Sequence, residues 1–145
     1  MYLFELPVRG GAPPRQISPV IAGWPILISN DGQTVSAMGA DDRVVLIPVA
    51  GGEPRPVPMC GPGDVPIGWT PDDRALWVYR RGRVSVTIDR AGIEGDQRSQ
   101  WHAIRPADPA GILDIMPVHI TPDGQTYAYG YRRFLSDLYV VTGLL

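Results

Sequence analysis

Lysine is absent from this chain; all thirteen of its basic residues are arginine. A P-loop and the ATP site of a protein kinase each place a lysine on phosphate, and a Schiff base needs one as its nucleophile, so these chemistries are excluded. Cysteine is nearly absent. With Cys60 alone, an intrachain disulfide and a multi-cysteine zinc site are both impossible. The two histidines, His102 and His119, stand in no HExxH or similar ligand spacing, so no metal or other cofactor is expected. Long apolar runs are missing too. None approaches the ~18 residues of a membrane-spanning helix, so membrane insertion is not expected. Net charge is −2, with no basic excess, so nucleic acid is not an expected partner. The opening MYLFELPVRGG has no basic segment before its short apolar stretch. It reads as a strand rather than a signal peptide, which makes a cytoplasmic location the expectation for the chain as written.

Glycine and proline are plentiful, 17 and 16 residues, and are spread between short apolar runs. That punctuation fits many strands joined by turns. No run carries the i, i+3, i+4 pattern of a helix over a useful length. The stretches 90–100 and 106–115 offer at most one short helical turn. The expected class is all-β, and 145 residues suit a single domain over 1–145.

The chain repeats itself. PVRGGAP at 7–13 returns as PVAGGEP at 48–54, and SNDGQT at 29–34 returns as TPDDRA at 70–75, both at an offset of 41. TPDGQT at 121–126 is a third copy, 51 residues after the second. Two unlike motifs sharing one offset indicate a true period, and the ten extra residues are expected as an insertion in the polar stretch 90–100. A period near 41 with four short apolar runs per unit matches a propeller blade, for which ~40–45 residues is usual. One unit reads VIAGWPILIS, turn NDGQ, TVSAMGA, turn DD, RVVLIPV, turn AGGEP, RPVPM. Its Asp-Gly turn favours a tight hairpin, and its proline-spotted last strand suits an edge.

The blade units are expected at about 1–18 (partial), 19–58, 64–105 and 112–145, the last lacking its final strand. The expected architecture is therefore β-propeller-like, with about three four-stranded antiparallel blades, whereas closed rings have ~4–8 blades. The chain is expected to be a partial propeller or one completed by a second copy, and self-association as a dimer is the expectation.

The turn motifs SNDG, TPDD and TPDG, with Trp69 just before the second, resemble those of bacterial TolB-like, WD-repeat-like β-propellers. WHAIRPADPAGIL followed by ITPDGQTYAYGYRRFLSDLYVVTGL resembles the terminal segment of propellers attached to bacterial serine/threonine protein kinases. The GH…WD signature of true WD repeats, the kinase domain and further blades are not in this sequence. The resemblance implies a sensor or regulatory role in signalling, and relatives of this kind are often extracytoplasmic.

The candidate ligand-binding residues are Arg80, Arg81, Tyr131, Arg132 and Arg133. They lie in WVYRR and YAYGYRR, where forked guanidinium donors adjoin aromatic rings and suit an acidic or carbonyl-bearing ligand. Recurrence at one blade position favours the structural alternative, in which the aromatics pack between blades and the arginines pair with aspartates such as Asp137. Asp31, Gly32, Asp72, Asp123 and Gly124 are expected as turn residues, the aspartates accepting hydrogen bonds from their own turns rather than holding a cation. Ser136 and Asp137, with His102 or His119 as base, suggest a hydrolase only weakly. No G-x-S-x-G elbow is present, so no catalytic residue is assigned. Trp24, Trp69, Trp77 and Trp101 are expected in the core, with Trp69 between blades, and Cys60 as a small buried hydrophobe.

The expected function is a non-catalytic propeller module that binds a protein, peptide or small ligand. The alternatives are a self-assembling structural fragment without a ligand and, further off, a propeller hydrolase.

Overall fold

The computed structural model describes residues 2–7, 9–18, 23–95 and 97–136. The apolar run SDLYVVTG at 136–143, expected as the last strand, and Asp137 with it, lie outside the described residues from 137 onward. Among the described residues there is no helix, and twelve strands form four antiparallel sheets. The first sheet is a pair, β1 (Phe4–Glu5) and β2 (Arg15–Gln16). The second contains β3 (Gly23–Ile28), β4 (Thr34–Met38), β5 (Val44–Pro48) and β6 (Arg55–Pro56). The third contains β7 (Asp64–Trp69), β8 (Ala75–Arg80), β9 (Val86–Gly92) and β10 (Arg98–Ile104). The fourth is β11 (Ile112–Ile120) with β12 (Tyr127–Arg133). Within each sheet the strands follow chain order, so β3, β7 and β11 each form one edge.

Side-chain alternation explains how the sheets stack. Successive residues of a strand point to opposite faces. On β8, Leu76 and Val78 enter one core while Trp77 and Tyr79 enter another. On β5, Val44 and Leu46 face the third sheet, and Val45 and Ile47 face the first. Both faces are buried, so ALWVY and VVLI read as unbroken apolar runs. Three cores result, one between each pair of successive sheets. Cys60 is buried in the middle one, where burial pushes its thiol up to about 12.

The three repeated turns share one hydrogen-bond pattern. Ser29 Oγ donates to Asp31 Oδ1 at 2.6 Å, and Asp31 Oδ1 accepts from Gln33 N. Thr70 with Asp72, and Thr121 with Asp123, do the same. These contacts hold Asp31, Asp72 and Asp123 below the usual carboxylate range, the neighbouring hydroxyl being the first cause. The fourth turn position requires positive φ: Gly32 (72°), Asp73 (52°) and Gly124 (70°) occupy it. Asp73 puts its side chain to use there. Its carboxylate accepts from Asn30 N, Asn30 Nδ2 and Asp31 N, latching the second sheet to the third.

Several expectations need correction. The extra residues expected in 90–100 lie there, partly as strand rather than as a loop alone. β9 runs to Gly92 and β10 begins at Arg98, so the residues lengthen a hairpin whose arms carry Asp89 and Arg98 within 2.7 Å. Neither 90–100 nor 106–115 contains a helical turn among the described residues. Asp108 accepts from Ala110 N in a tight turn after Pro106, and β11 starts at Ile112. Trp69 and Trp77 are buried, but Trp24 is 74% exposed and Trp101 37% exposed. Each exposed indole stands where its strand slips register: between Gly23 and Leu27, and between Gln100 and His102. A bulge swings a side chain off the packed face.

Candidate binding site at three strand edges

The edge strands β3, β7 and β11 each carry a proline at the same repeat position, in Trp24-Pro25, Val65-Pro66 and Met116-Pro117. Proline has no N–H to give a ladder and is tolerated at an edge. The pairing registers break beside each one: between Gly23 and Leu27, Pro66 and Gly68, and Ile115 and Val118. The three strands converge around a groove of about 220 Å³. Its walls are Trp24, Pro25, Leu27, Val65, Pro66, Ile67, Met116, Pro117 and Val118, with Tyr79, Arg81 and His119 as polar members. Among the described residues no carboxylate lines it. Burial raises the Tyr79 phenol above its ordinary value, so its hydroxyl stays protonated at neutral pH. Arg81 lies 3.9 Å from Asp42, with its side chain more than half exposed.

The five candidate residues do not meet at one place. Arg81 opens on the groove. Arg80 turns away, its Nε 3.0 Å from a buried oxygen of Asp64. Arg132 pairs with Asp114, and Arg133 with Asp108 and the Ala110 carbonyl. Tyr131 is 43% exposed at the end of a row of rings running through Tyr129 and Tyr127 to Trp101. His102 Nε2 is 2.9 Å from Tyr127 Oη, so it serves this aromatic row. No group of three or more histidine, cysteine, aspartate or glutamate side chains able to hold a metal occurs among the described residues.

Two features were not legible as sites in the sequence. The first is the groove, although a signal existed: the X-Pro steps recur at the same offsets of 41 and 51 as the turn motifs. The second is an ionic cluster under β7. Asp64, with no exposed side-chain surface, accepts from Arg98 at 2.5 Å, from Arg80, and from Gly61 N at 2.8 Å. Arg98 also reaches Asp89 and the Met59 carbonyl.

A larger depression, about 650 Å³, lies against the β9–β10 hairpin between Asp72, Arg74, Arg90 and Glu94. It is polar, with charges of both signs, and belongs to one sheet alone. The smaller groove is the better candidate because three sheets build it and apolar walls with few polar groups are what ligand sites present.

No helix among the described residues is long and apolar enough to cross a membrane. Comparison with protein-family models, with curated proteins and with solved structures returned no match to this chain.

Proposed function

We propose that the chain is a non-catalytic, β-propeller-like binding module whose four sheets are successive blades, and that its ligand docks in the groove where β3, β7 and β11 converge. The observation that carries this reading is the groove itself: three equivalent strands from three sheets, each bent by a proline, enclose apolar walls beside one exposed guanidinium. A sensor or regulatory role in bacterial signalling, in the manner of kinase-attached TolB-like propellers, accords with such a site.

A ligand that binds only the folded chain stabilises it by mass action, by ~2.7 kcal/mol at a hundred times its Kd. Thermal unfolding against compound and peptide libraries should therefore yield stabilisers whose effect disappears in Trp24→Ala. Stabilisers that act equally on that variant would place binding elsewhere and contradict the reading.

A second reading, self-association that completes a ring, draws support from β1. Tyr2, Phe4 and Leu6, at 55, 56 and 60% exposure, lie in and beside β1, while Leu3 packs against the core of the first two sheets. Light scattering coupled to gel filtration should give twice the chain mass. The mass of a single chain would count against this second reading without touching the groove.

A further inference from the structure

We infer that the groove takes one large apolar side chain of an extended peptide segment, and that Arg81 holds a carboxylate next to that side chain; this rests on the groove being the binding site. Size is the first argument. At about 220 Å³ the groove is smaller than sites that enclose a small molecule, ~300–1,000 Å³, and is of the order of a single large side chain. An anchor projecting from a larger molecule fits it, and the Trp24 indole in its wall, 74% exposed, offers further contact area.

The main chain supplies the second argument. Strand addition needs a run of free donors and acceptors along an edge. Pro25, Pro66 and Pro117 remove a donor from each of the three edges, at the level of the groove. A peptide added there as a strand would meet an interrupted ladder at each edge, which favours recognition through inserted side chains.

Charge is the third. With no carboxylate among the described residues of its lining, the groove has a cationic rim at Arg81. The nearest acid, Asp42, is at the outer limit of an ion pair, 3.9 Å, and leaves the fork of donors open. Arg80 does not compete, being committed to Asp64. An apolar anchor beside an aspartate or glutamate is the complementary partner.

A random displayed-peptide library selected on the full chain tests this, with the enriched peptides resynthesised and their Kd measured on wild type, Trp24→Ala, Arg81→Glu and Arg81→Gln. Near-ultraviolet circular dichroism verifies that each variant is folded. Enrichment of a bulky apolar residue adjacent to Asp or Glu is expected, with affinity falling about tenfold in Arg81→Gln, as for loss of one charge-assisted hydrogen bond. A further fall is expected in Arg81→Glu. Peptides that depend on Trp24 but lack an acid, or bind Arg81→Glu as well as wild type, overturn the inference and leave the groove as the site. If no selected peptide depends on Trp24, the inference and the reading beneath it fall together.

Discussion

Asp64→Ala is expected to cost ~3 kcal/mol of folding stability, the lower end for breaking a buried ion pair. The carboxylate is fully buried, while its partners are less so: the Arg98 side chain is 22% exposed and that of Arg80 58%. Removing the acid leaves Arg98 to Asp89 and the Met59 carbonyl, takes the carboxylate from Arg80, and leaves Gly61 N without its acceptor. Asp64→Asn should recover part of the loss, because its carbonyl oxygen still accepts.

The pH dependence has a definite sign. Burial by itself would raise the Asp64 value; hydrogen bonds from Arg98, Arg80 and Gly61 outweigh it and hold the carboxyl below its ordinary 3.8. A group depressed in the folded state contributes fully above its unfolded value and is lost as pH falls through the folded one. Stability should therefore be level in this respect above about pH 4 and decline below it. Asp31, Asp72, Asp108, Asp114 and Asp123 are lowered as well and act in the same window. Urea titrations across pH should give a shallower acid limb for Asp64→Asn than for wild type. Equal limbs would mean that the cluster is not ionised as drawn.

The second large effect concerns Trp77, which joins the third sheet to the fourth. The residue is 6% exposed, its Nε1 donates to the Pro122 carbonyl at 3.1 Å, and Trp101 packs on it edge to face. Trp77→Ala should cost ~4 kcal/mol, typical of a large aromatic cut from a core. In a stack where each unit touches only its neighbours, the loss should fall on the adjoining unit. Hydrogen exchange should therefore accelerate in β11 and β12 more than in β4 and β5.

The same contact separates two glycines that look alike in sequence. A Cβ on Gly124 would stand 2.8 Å from Trp77 Cζ2, whereas one on Gly32 meets nothing within 4 Å. Both have positive φ, so each alanine variant carries a backbone penalty of ~1 kcal/mol. Gly124→Ala should lose a further ~1–2 kcal/mol through overpacking. Equal losses at the two glycines would show that the ring does not sit over the third turn.

Local chemistry made much of the fold legible. The Ser/Thr–Asp turns announce themselves because four or five consecutive residues satisfy one another, and their spacing exposes the repeat. Strand β8 was readable from its apolar run. Pairing across sheets was not. Arg98 sits in a polar stretch that looks like a loop, and one of its partners, Asp64, lies more than thirty residues earlier. Of the two WVYRR arginines, adjacent and alike in sequence, β-strand alternation sends Arg80 to Asp64 and Arg81 to the groove. Trp24 and Trp101 carry no local mark that a bulge will expose them. The groove depends on three edges meeting, a relation visible in sequence only through the recurring X-Pro steps.

The most direct test of the three-edge groove is the indole N–H region of a ¹H–¹⁵N spectrum, followed during exchange into D₂O and then during titration with a groove-selected peptide. The chain has four tryptophans. The Trp69 indole donates to the Leu27 carbonyl and that of Trp77 to Pro122, while Trp24 and Trp101 are exposed. The expected result is two slowly exchanging indoles, assigned to Trp69 and Trp77, with Trp24 the one that shifts on peptide addition. A slowly exchanging Trp24, or a peptide that moves Trp101 and leaves Trp24 in place, would contradict it.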